Sequence, residues 1–252
     1  MFPACRLFSY LFGRLLLALT LTLGGMPLTA QAESMQLLIQ EYAPFTHTKA
    51  NKEIGGFLSD KVQEIMKRSG ETSNIQSTSL ARALSATQNN ADTCMIGLRR
   101  TPDRENSFAW VGPLTKDEWV LYGKKTNSRK LNSFEDAKTY RIGSYKNAAT
   151  GLQLAEQGYK IEFASEDDDN PRLLANERID YWIVSRLHGM VMAQQQGYWP
   201  EISNVASYKN IELYMLCNAR MDKQRIDNFN RFNKEIDNDG TMDKILRKYG
   251  VR

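Results

Sequence analysis

Apolar and polar positions follow two alternating periods along most of the chain. Apolar runs of strand length occupy residues 35–40, 93–98, 119–122, 140–145, 160–164, 179–184 and 211–217. Between them the apolar positions repeat at helical spacing. Leu58, Val62, Ile65 and Met66 share one face of a helix that Gly55 and Gly56 precede and Gly70 stops. Further helices are predicted over 80–88, 147–157, 168–176, 185–196, 222–237 and 241–249, with a weaker strand over 73–78. Phe229, Phe232 and Ile236 form an apolar stripe that reads as core. This alternation argues for α/β layers around a largely parallel sheet. The polar stretch 124–130 reads as the connection to a second α/β series.

The first 32 residues differ. Arg6 and Arg14 precede an apolar run over 15–23, Gly24, Gly25 and Pro27 break it, and Ala30-Gln31-Ala32 has the form of a cleavage site. Residues 1–32 are therefore expected to be a signal peptide, with the mature chain starting at Glu33. An uncleaved anchor is the alternative, but the run is shorter than the ~20 residues that spanning requires. Cys5 precedes the run, so it is not a lipidation cysteine at the cleavage site. A soluble protein exported to a periplasm is the expectation.

Composition sharpens this picture at a few points. Apolar residues make up 42% and charged residues 25%, which is ordinary globular usage. The 33 Lys and Arg include two in the leader, leaving 31 against 29 acids. That balance gives no bulk attraction to nucleic acid. Export would place Cys94 and Cys217 where disulfides persist, so they read either as a disulfide or as two buried thiols. His47 and His188 stand apart in sequence and no CxxC occurs, so no metal site is expected. The acidic run 166–169 lacks the glycine and spaced oxygens of a calcium loop, and reads as acids at a helix N-terminus. No cofactor is expected.

The order of motifs resembles the family-3 bacterial extracellular solute-binding proteins, the polar-amino-acid receptors of ABC importers. Tyr42-Ala43-Pro44-Phe45 is followed by Gly56-Phe57-Leu58-Ser59-Asp60, similar to the family's G-F-x-x-D. Thr101-Pro102-Asp103-Arg104-Glu105 resembles its T-P-E-R segment. Residues 131–137, then Arg141-Ile142-Gly143, resemble the S-L-E-D-L and K-V-G that open a second lobe. Arg178-Ile179-Asp180-Tyr181 resembles G-R-V-D-A, and residues 239–245 resemble A-D-G-T-Y-x-K-I. The resemblance covers essentially all of the chain after residue 32.

The resemblance implies an α/β, two-lobed periplasmic-binding-protein-like fold of type II, with the ligand cleft between lobes joined by two crossing segments. Lobe one would be 33–123 plus 210–252, and lobe two 124–209. It implies that Arg104 binds a ligand carboxylate, since a guanidinium pairs both oxygens. It places Ala149 and Thr150 at a helix N-terminus facing the same carboxylate. It also exposes a departure: the family's D-A-V-V-A-D ends in the aspartate that takes a ligand ammonium, whereas residues 180–185 end in Ser185. Arg99 stands where many members carry a small residue. Tyr42 is a candidate aromatic wall, Phe45 a wall or core residue, Glu41 a candidate acid, and Arg82 an inward-reaching or solvated cation. The ligand is expected to be small, polar and anionic at one group at least, and need not be a standard α-amino acid. Expected partners are that ligand and either an inner-membrane ABC permease or a sensor kinase, with the protein a monomer. Catalysis is not expected. The alternative, a cleft lyase of the cyclohexadienyl dehydratase type, needs a positioned acid or base, for which Glu41 and His47 are candidates.

Overall fold

In the computed structural model, residues 34–126, 131–146 and 148–251 are described. The expected signal peptide 1–32, the start at Glu33 and positions 127–130 of the expected connection lie outside them, as does Asn147. The strands are β1 (Met35–Ile39), β2 (His47–Thr48), β3 (Ile54–Gly55), β4 (Ser73–Ser77), β5 (Thr93–Arg99), β6 (Phe108–Lys124), β7 (Arg141–Tyr145), β8 (Lys160–Ala164), β9 (Tyr181–Ser185) and β10 (Ile202–Asn218). The helices are α1 (Phe57–Ser69), α2 (Leu80–Asn89), α3 (Ala149–Glu156), α4 (Asn170–Ala175), α5 (Arg186–Gln195), α6 (Lys223–Asn238) and α7 (Thr241–Lys248).

The main sheet has eight strands in the order β4-β1-β5-β10-β6-β9-β7-β8. It is mixed rather than largely parallel. The outer pairings β1–β4, β1–β5, β7–β8 and β7–β9 are parallel, as helical crossovers require. The central ones, β5–β10, β10–β6 and β6–β9, are antiparallel. The reason is the length of β6 and β10, 17 residues each. Trp119–Tyr122, read as a short strand, is the far end of β6 and pairs with β9 there. Ser207–Asn210, at the expected boundary between the lobes, lies within β10 and pairs with β6. These two strands run from one α/β half to the other.

Each half buries its own apolar set. Leu37, Ile39, Leu58, Val62, Ile65, Phe229 and Ile236 share one cluster, so the faces read from α1 and α6 are core faces. Trp182 and Val184 pack with Val120 and Tyr122 in a second cluster, and Tyr181 and Ile183 with Leu121 and Ile142 in a third. Every residue of β9 is buried, because helices or loops cover both of its faces. The acidic run does not behave as a simple helix start. Asp167–Asp169 form a 3-10 turn before α4, and Asp167 turns inward, accepting hydrogen bonds from Trp182 Nε1 and Asn170 Nδ2 at 2.9 Å each.

The start of α1 anchors the loop that later supplies the site. Phe57 N donates to Pro44 O and Leu58 N to Phe45 O, so two helix-end N–H groups are satisfied by the 44–46 turn. Gly56 makes this approach possible at φ 102°, and a Cβ there would lie 2.3 Å from Phe45 O. Gly56→Ala is expected to cost at least about 2 kcal/mol, from backbone strain plus a clash with main chain that cannot move aside. Thermal melting of the variant checks this; an unchanged midpoint would show that the turn can give way.

Candidate functional site

The carboxyl ends of β1, β5 and β7 point toward one another across β6 and β10. Crevices at strand carboxyl ends are where open α/β sheets place ligands. Here the space is a cleft of about 210 Å³. β1 and its following turn contribute Gln40, Tyr42 and Thr46; the turn is closed by Tyr42 N donating to Thr46 O and Thr46 Oγ1 donating to Gln40 O. β5 contributes Arg99, and the turn after it Arg104, whose N–H donates to Thr101 O. β6 contributes Trp119, β7 Tyr145, and the start of α3 Ala148 and Thr150.

The wall is cationic. Arg99 and Arg104 both line it, and among the described residues no Asp or Glu does. Arg104 lies 3.9 Å from Asp103, whose side chain is 77% exposed and therefore hydrated. Arg99 sits 5.8 Å from the Trp119 ring centre, within cation–π range. Burial lowers the Arg99 pKa, and the Arg104 charge adds to that, while the Tyr42 and Tyr145 hydroxyls oppose it. Burial also raises the Tyr145 pKa to about 12 and holds that of Tyr42 well above its ordinary value, so both stay protonated donors. Trp119 Nε1 and Thr150 Oγ1 are buried with no hydrogen-bond partner among the described residues.

The fold thus brings together Tyr42, Arg99, Arg104 and Thr150 from the sequence reading. Ala149 opens α3, but its side chain lies outside the described residues, and its neighbour Ala148 lines the cleft. Ser185 and Glu41 are not on this wall. Ser185 is fully buried as the N-cap of α5. Its hydroxyl donates to Asp117 Oδ2 at 2.5 Å and accepts from His188 N. Glu41 is held outside the cleft by Thr48 N, Thr48 Oγ1 and Ser77 Oγ, which together outweigh burial and lower its pKa. Arg82 is exposed on α2, and Phe45 is core.

A second hollow of about 170 Å³ lies behind Tyr42, lined by Glu41, Ala43, His47, Asp168 and His188 among others. Tyr42 lines both spaces, and the His188 ring lines the second. It stacks on Tyr42 with centroids 4.1 Å apart, its Nδ1 lies 2.5 Å from Ala43 O, and its Nε2 lies 3.7 Å from Asp167 Oδ2. Burial raises the Asp167 pKa against the pull of His188, Trp182 and Asn170. The sequence reading missed Trp119, Tyr145, His188 and Asp117. One signal was available for two of them: Asp117 and Trp119 are two apart in one strand and so share a face of β6.

The model of the bacterial extracellular solute-binding proteins, family 3, matches residues 37–252. The chain belongs to that family. A curated relative, the arginine-binding extracellular protein ArtP of Bacillus subtilis (strain 168), is 23% identical over 221 residues, covering 83% of this chain and 82% of its own. Among solved structures, a histidine kinase sensor domain with similarity to periplasmic binding proteins matches with TM-score 0.74 at 17% identity, covering 86% of this chain and 96% of its own. The ancestral amino-acid-binding protein AncCDT-1, a precursor of cyclohexadienyl dehydratase, matches with TM-score 0.70 at 20% identity over 86% and 94%. The fold is therefore the two-lobed α/β fold of this family. No helix among the described residues is long and apolar enough to cross a membrane.

Proposed function

We propose that this chain is an exported periplasmic protein that captures a small carboxylate-bearing ligand, an amino acid or a related molecule, and delivers it to an ABC importer. Lobe one comprises residues 33–123 plus 210–252, and lobe two 124–209. The observation that carries this reading is the pair Arg99 and Arg104 on one cleft wall, with Trp119 and Thr150 holding unpartnered donors beside them. Among the described residues the wall offers no Asp, Glu or His to act as acid or base, which supports capture over lyase chemistry.

Binding and closure are coupled, because a ligand touching both lobes favours the state in which they meet. Charge-assisted bonds to Arg104 contribute about 1.5–3 kcal/mol. Arg104→Ala is then expected to weaken binding about 10- to 100-fold in calorimetry. Native mass spectrometry of freshly purified protein supplies the ligand's mass. Tight binding of a cationic amino acid, unaffected by Arg104→Ala, would overturn this reading. The Tyr42–His188 stack and the His188–Ala43 contact join the first turn of the chain to α5, so they form only when the lobes meet. His188→Ala is expected to weaken ligand binding about two- to tenfold without touching the ligand. Equal affinity in the variant would remove His188 from the closing contact.

A further inference from the structure

We propose that the ligand of this cleft is a small dianion without an ammonium group, of the short dicarboxylate or phosphate monoester class. This deepens the reading above and rests on it. An α-amino acid presents one carboxylate and one ammonium, so its cleft needs one cation and one anion. Among the described residues this cleft has two guanidinium groups and no carboxylate on its wall. The two cations are close enough that the Arg104 charge disfavours that of Arg99. One bound carboxylate would neutralise one of them; two anionic charges are needed for both.

The remaining polar groups point the same way. Trp119 Nε1 can only donate, and it is buried without a partner. Thr150 Oγ1 is likewise unpartnered and buried. The Tyr145 phenol is kept protonated by burial. These groups match a ligand rich in acceptor oxygens. An unpaired buried donor costs about 1–3 kcal/mol, and acceptors on the ligand relieve that cost.

The acids around the cleft lie outside its lining: Asp103 is exposed beside Arg104, and Glu41, Asp167 and Asp117 face other neighbours or adjoining hollows. Glu41 is fixed by Thr48 and Ser77 and lines the other hollow. Asp167 faces Trp182, Asn170 and His188. Asp117 Oδ2 accepts from Ser185 and Leu187 N while its Oδ1 is buried without a partner among the described residues, and it lines an adjoining groove that shares Arg99 and Ile211 with the cleft rather than the cleft itself. Tyr42, stacked on His188, lines the cleft. An ammonium on this wall would face two guanidinium groups and no carboxylate among the described lining residues, and like charges set side by side disfavour it. The volume of about 210 Å³ equals roughly seven water molecules at their liquid share, which suits a ligand of a few carbons.

The test pairs ligands that differ only in the ammonium. Calorimetry on the full mature protein compares glutarate with L-glutamate, and succinate with L-aspartate, alongside L-arginine, L-glutamine, inorganic phosphate and glycerol 3-phosphate. Each amine-free dicarboxylate is expected to bind at least about tenfold tighter than its amino counterpart. Arg99→Ala and Arg104→Ala are each expected to weaken it about tenfold or more. Binding of the phosphate probes with the same dependence on both arginines would support the dianion and assign its group as phosphoryl. L-glutamate at least as tight as glutarate, or tight L-glutamine or L-arginine, would overturn the proposal while leaving the carboxylate-capture reading intact. Failure of every anion in the panel, with Arg104→Ala leaving a co-purified ligand in place, would overturn both. Arg82→Ala, which removes an exposed cation outside the cleft lining, controls for a general loss of charge.

Discussion

Alanine at both Cys94 and Cys217 is expected to lower the unfolding free energy by about 3–5 kcal/mol. The two Sγ atoms are bonded, and the cross-link closes a sequence separation of 123 residues. In the chain-entropy account, a loop of that length loses close to 5 kcal/mol of denatured-state freedom. Cys94 and Cys217 face each other directly in the β5–β10 pairing, and both are fully buried. The bond therefore ties a strand of the first half to the end of one of the two long central strands. Denaturant unfolding of the double variant checks the prediction. Its midpoint should fall and its m-value rise, because the uncrosslinked unfolded chain expands. Two titratable thiols in the native protein, with an unchanged midpoint under reductant, would refute it.

Asp237→Ala should cost about 3 kcal/mol near neutral pH, and the loss should shrink as pH rises. Lys61 is fully buried, and its ammonium donates to Leu114 O and Asp237 Oδ1 at 2.7 Å each. Burial lowers its pKa, while Asp237 pulls it back up. The unfolded lysine, with the higher pKa, binds more protons between the two values. Stability therefore rises with pH across the window from the folded pKa to about 10.4. Removing Asp237 lowers the folded pKa further and widens that window downward. The variant should gain more stability than the parent between pH 7 and 9.5, read from denaturation midpoints at both values. A gap that is the same at both would mean that Lys61 is not the group responsible.

Much of the chain was legible because its signals are local. The α1 face Leu58, Val62, Ile65 and Met66, its Gly70 stop and the apolar run of β1 each follow from spacing within a few residues. Gly56 was legible as part of a motif, and its φ gives the motif a physical reason. The sheet was harder. Trp119–Tyr122 looks like a strand in isolation, but that it extends β6 and pairs with Ser185–Trp182 depends on neighbours more than 60 residues away. A parallel sheet was expected because alternation of helix and strand implies crossovers, and the two long antiparallel strands carry no local mark.

The same division runs through the cleft. Sequence by itself determined the family, the α/β alternation and the candidate cations Arg99 and Arg104, since motif order and residue type survive without coordinates. It also determined that Ser185 is no carboxylate. Only the tertiary structure decided where the remaining acids go. Asp117, 68 positions before Ser185, takes the serine's proton, and Thr48 with Ser77 takes up Glu41. A buried polar group bonds to whatever the fold brings within reach, and reach is set by packing rather than by distance along the chain. That is why the sign of the cleft's charge, and not merely its presence, became readable once the lobes were assembled.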